Sequence, residues 1–173
     1  MTRPQLLAEA VRHSRVMIAR FFPGFDDTNH TRQAPGLPNH FAWTLGHLAF
    51  YLHRTAERFD GKPLPDDSFL PGTVRGDRHR FGVEGISFNS TPTDDPASFP
   101  PAARCVAVFD AAIERLAVAL ESADDAKFDQ LAPWGSNQLP LWKIIIGMIN
   151  HNGVHCGQLI DLRRALGMGR ILG

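Results

Sequence analysis

From Leu141 to Leu166 the chain repeats apolar residues at three-and-four spacing: Leu141, Ile144, Ile145, Met148, Leu159, Leu162 and Leu166. His151 and His155 fall on or beside the same stripe. That rhythm is helical, with Pro140 opening the helix and Gly167 closing it. Side chains four apart project from one face a single turn apart, so both imidazoles reach one point. A helix of this kind cannot stand alone. Its apolar face needs other helices, and its inward imidazoles need partners, because an unpartnered buried polar group costs about 1–3 kcal/mol. A zinc-type divalent metal satisfies both rings at once, and three protein ligands leave a position open for water or substrate. Core histidines paired to the backbone, with no metal, are the alternative.

Three further helices follow from the same periodicity. Residues 4–22 carry Leu6, Leu7, Ala10, Val11, Met17, Ile18, Phe21 and Phe22 on one face, until Pro23-Gly24 stops the helix. Phe25 to Pro38 reads as loop, with His30 a solvated residue in it. Asn39 is the expected cap of a second helix running to about Asp60, ended by Gly61 and Pro63. Its inward face holds Phe41, Thr44, Leu45, Leu48, Phe50, Leu52 and Phe59, with His40, Trp43 and His47 on neighbouring stripes. Taken alone, His47 reads as an ordinary core or surface histidine. The third helix begins near Ser98 and Pro100-Pro101 and runs through Ala102, Val106, Phe109, Ile113, Leu116 and Leu120. Its Asp110, Glu114, Arg115 and Glu121 read as solvated, and a polar loop is expected from Ser122 to Leu139.

The sequence therefore predicts an all-α four-helix bundle forming one domain over residues 1–173. A long irregular connection, residues 62–98, joins helices 2 and 3. Connections of that length are often lids, although a plain crossover fits equally well. Phe81 to Phe88 is expected to be a short extended piece, with Phe81 or Phe88 at the entrance to the histidine pocket. Gly46, Gly153 and Gly157 interrupt helices beside histidines, where each costs roughly 1 kcal/mol against alanine. Close helix approach, room for a ligand, or simple packing of the crossing are the three explanations.

The 18 basic and 18 acidic residues balance, which argues against a nucleic-acid binder and against attraction to an anionic membrane. The longest apolar block, Leu141 to Ile149, is broken by Lys143 and too short to span a bilayer. The N-terminal stretch has scattered arginines and no apolar run of signal-peptide length. Cys105 and Cys156 read as reduced thiols of a cytoplasmic protein, and Cys156 points away from the histidine pair.

Two motifs together carry a family resemblance. Trp43-Thr44-Leu45-Gly46-His47-Leu48 is followed far downstream by His151-Asn152-Gly153-Val154-His155-Cys156-Gly157-Gln158-Leu159 and Arg163-Arg164-Ala165-Leu166-Gly167. The chain resembles the DinB (YfiT-like) superfamily over nearly its whole length. The resemblance implies an up-up-down-down bundle, often dimeric, with a three-histidine metal site matching His47, His151 and His155. It implies zinc or nickel, and relatives that include bacillithiol- or mycothiol-dependent transferases and a mycothiol-dependent maleylpyruvate isomerase.

Two function classes follow. One is a metal-dependent enzyme, a thiol-dependent transferase or a hydrolase, acting on a small molecule, with a low-molecular-weight thiol as the partner of a transferase. Glu84 in the long connection is then the candidate carboxylate base, and Gln158 either orients a ligand or water or simply packs. The other is a non-catalytic metal-binding or stress-response protein whose site is structural or vestigial. A homodimer is expected in either case.

Overall fold

The computed structural model describes residues 1–72 and 75–171. Four long helices dominate: α1 (Arg3–Ala19), α2 (Phe41–Asp60), α4 (Ala102–Glu121) and α5 (Leu141–Ala165), with a single-turn helix α3 (Val83–Ile86) in the long connection. α1 and α2 each pack against both α4 and α5, so the four surround one apolar core. α2 and α5 run antiparallel, as their pairings show: Asn39 just before α2 bonds Gln158, while His47 and Tyr51 meet His151.

α1 begins with a capping box, in which Thr2 and Gln5 each accept the other's backbone N–H. It ends at Ala19, short of the predicted Phe22, because Phe22 and Phe25 leave the helix to pack on Phe41 at the start of α2. The predicted cap Asn39 is displaced by one residue: the His40 ring accepts from Trp43 N–H at 3.1 Å. Gly61 ends α2 as expected, in the left-handed conformation that glycine adopts without strain.

The chain is mostly helical, consistent with the all-α expectation, with two small strand pairs added in the connections. In the long connection β1 (Phe69–Leu70) pairs in parallel with β2 (Phe81–Gly82). The predicted loop after Ser122 holds a 3-10 turn, Asp125–Asp129, and an antiparallel hairpin of β3 (Leu131–Trp134) and β4 (Asn137–Pro140). Pro133 and Pro140 mask that hairpin, since proline weighs against a strand. Gly135 makes its turn at φ +59°.

The charged residues predicted to be solvated on α4 are paired across helices. Arg12 of α1 bridges Glu114 and Glu121 at 2.9 and 2.6 Å, Arg15 bonds Asp110 at 2.7 Å, and Arg115 bonds Asp60 at 2.9 Å.

His30 is likewise no solvated loop residue but is buried against the start of α2. Of the three glycines beside histidines, Gly46, Gly153 and Gly157, only Gly46 is explained by close approach: a Cβ there would lie 2.5 Å from the Phe81 ring. Gly153 and Gly157 face outward on α5 with nothing within 4 Å.

Candidate metal centre

His47 sits in the second turn of α2, and His151 and His155 sit a turn apart in α5. Antiparallel packing brings the three rings to one level. The Nε2 atom of His151 lies 3.2 Å from that of His47 and 3.1 Å from that of His155. One ligand nitrogen from each ring can be chosen so that all three fall within 4.8 Å of one another. Metal–nitrogen bonds of about 2.0–2.1 Å separate neighbouring ligands by roughly 2.9 Å at a right angle and roughly 3.4 Å at the tetrahedral angle. The observed spacings fall between those limits.

The hydrogen bonds of His47 define its tautomer. Its Nδ1 lies 2.7 Å from the carbonyl oxygen of Ile86, which can only accept. The hydrogen is therefore on Nδ1, and Nε2 presents its lone pair to the other two rings. Burial lowers the proton affinity of all three histidines. For His47, burial opposed by the Ile86 hydrogen bond and aided by His151 gives a pKa of about 4. For His155, burial aided by His151 and His47 and opposed by Gln158 gives about 3. Burial also pushes His151 down. At neutral pH all three rings are uncharged, the form that binds a metal.

Aromatic rings wall the cluster. Trp43 stacks on His47 at 4.4 Å and is held by its Nε1–H donating to Ser90 Oγ at 2.9 Å. Tyr51 meets His47 edge-on at 4.9 Å, and its hydroxyl accepts from Phe88 N–H at 3.0 Å. The long connection thus returns to the histidines, but through the Ile86 carbonyl and the Phe88 backbone. Phe81 is wholly buried beneath Gly46 and Phe69 is buried beside His53, so neither forms an entrance. Phe88 as a whole residue is 76% exposed.

Glu84 is exposed on α3 and bonds none of the three histidines. Gln158 accepts from Asn39 Nδ2 at 3.2 Å, which ties the residue beyond His155 to the chain entering α2. Cys105 is buried away from the cluster, and Cys156 lies beside Met17. Tyr51 and Ile86 are the site residues that sequence reading misses. Tyr51 stands one turn after His47 and was open to notice; a backbone carbonyl contributed from a distant loop leaves no sequence signal.

A sequence model of the DinB superfamily matches residues 10–159. The structure is similar to the crystal structure of a conserved protein from Enterococcus faecalis, with a TM-score of 0.71 and 13% sequence identity, covering 96% of this chain and 99% of that one. No curated protein sequence matches.

Proposed function

The chain belongs to the DinB superfamily, and from that membership we propose that His47, His151 and His155 hold one divalent ion, zinc or nickel, in a metal-dependent enzyme. The reaction class is thiol-dependent transfer or hydrolysis on a small molecule, with a low-molecular-weight thiol as the cosubstrate of a transferase. The observation that carries this reading is the convergence of three neutral imidazoles at ligand spacing. The cluster contains three candidate ligands among the described residues, which leaves coordination positions for water or substrate.

When bound, such an ion lowers the pKa of a coordinated water or thiol and supplies a nucleophile near neutral pH. The chain's own residues prepare for it. The Ile86 carbonyl fixes the His47 tautomer, Trp43 and Tyr51 hold its ring from two sides, and burial keeps all three histidines unprotonated.

The same reading takes residues 1–173 as one domain with an up-up-down-down four-helix bundle, working in the cytoplasm. It also takes the protein as a homodimer. The outward side of α5, with Gly153, Gly157 and a 60% exposed Val154, is the surface this reading assigns to a second copy.

The test is metal analysis of untagged protein followed by a thiol-transferase screen. Near one ion per chain with turnover supports the enzyme. A full complement of metal with no turnover across thiols and hydrolysable substrates supports the non-catalytic alternative, and metal-free protein ends both.

A further inference from the structure

His30 is the most anomalous polar side chain outside the metal centre. It is 3% exposed, and neither ring nitrogen has a hydrogen-bond partner among the described residues. A neutral imidazole offers one donor and one acceptor, and leaving a buried polar group unmet costs about 1–3 kcal/mol. The backbone of the same residue is well used, since its carbonyl accepts from Ala42 N–H in the first turn of α2 at 2.9 Å. The ring is therefore held in place rather than left over from a loose loop.

That ring lines a cavity of about 230 Å³ together with Asp27, Arg78, Pro96, Ala97, Phe99 and Pro101. Arg78 is exposed and makes no ion pair among the described residues. The carboxylates nearby are already engaged. Asp27 accepts from Ala102 N–H at 2.7 Å, at the N-terminus of the 20-residue α4. Asp95 accepts from Ala97 N–H at 3.0 Å and Ser98 Oγ at 2.9 Å, and it pairs with Arg75 at 3.4 Å. Among the described residues, a guanidinium and an imidazole N–H are the donors left without acceptors, at the positive end of a long helix. Phe99 and the two prolines supply an apolar wall.

We propose that this cavity binds a small organic carboxylate, held between Arg78 and the N–H of His30 with its apolar body against Phe99, Pro96 and Pro101. The volume of about 230 Å³ lies below the roughly 300–1,000 Å³ of pockets for drug-sized ligands, which suits a small acid. The apolar wall favours an organic acid over inorganic phosphate, which has the charge without the body. None of the three metal-site histidines lines the cavity, so the proposal stands apart from the reading of the metal centre.

The test is titration of the purified full-length protein with benzoate, benzyl alcohol and inorganic phosphate, read by the ring-nitrogen resonances of His30. Benzoate should shift them saturably at millimolar concentration or below, with benzyl alcohol and phosphate both weaker. Arg78→Ala, at an exposed position, should fold normally and weaken benzoate at least about tenfold, the loss of one charge-assisted hydrogen bond. The absence of a saturable shift, equal benzoate affinity in Arg78→Ala, or phosphate binding as tightly as benzoate would each overturn the proposal.

Discussion

Single residues set both the stability and the chemistry of this site. Gly46 is one: an alanine there would drive its methyl group into a fully buried Phe81 ring. Gly46→Ala should cost about 1–3 kcal/mol, read as a lower denaturation midpoint, and an unchanged midpoint would mean that Phe81 can move aside. His155 is another, and replacing it with alanine should remove the bound metal; full occupancy by elemental analysis would discount the α5 pair. The buried histidines also make stability depend on pH. His40, His47 and His53 are held at about 4 and His155 at about 3, against an ordinary value of 6.5, with burial the leading cause each time. Unfolded chains take up these protons near pH 6.5, whereas the native rings refuse them until well below. Stability is therefore full above about pH 6.5, falls as the pH drops through that window, and levels off near the native values. For His40 alone, wholly buried and capping α2, the contribution is about 3 kcal/mol. Urea midpoints that stay equal at neutral pH and at pH near 4.5 would contradict this.

At the scale of elements, the long connection matters through its backbone. Ile86 O on His47, Phe88 N–H on the Tyr51 hydroxyl and Ser90 Oγ on Trp43 fasten residues 86–90 to α2 around the histidines. Tyr51→Phe removes one of these ties and should cost about 1 kcal/mol. It should also speed amide hydrogen exchange at Phe88 selectively; exchange unchanged at that amide would show the tie to be idle. The sequence made the four long helices and both histidine-bearing faces readable, because apolar periodicity is a local signal with a strong physical cause. Their ends were less readable. Asn39 is the better cap by residue preference, yet it bonds Gln158 and His40 takes its place, a tertiary contact overriding a local one. The hairpin at Leu131–Pro140 was hidden by its prolines, and the burial of His30 by contacts that loop composition does not encode.

For the whole molecule, the outer strip of α5 bears on assembly. Light scattering at micromolar concentration should give the mass of a dimer, and Val154→Lys should shift it toward that of one chain while leaving metal content intact. A single-chain mass for the unsubstituted protein would remove the dimer. The separation of the ligands along the chain has a further consequence. His47 and His151 are 104 residues apart, yet their ring nitrogens nearly touch. An ion shared between α2 and α5 would act as a cross-link that closes a loop of that length. On chain-entropy grounds alone, a closure on that scale is worth up to about 4–5 kcal/mol against the unfolded ensemble. Chelation would thus do more than stop chemistry: it would turn a stapled chain into an unstapled one.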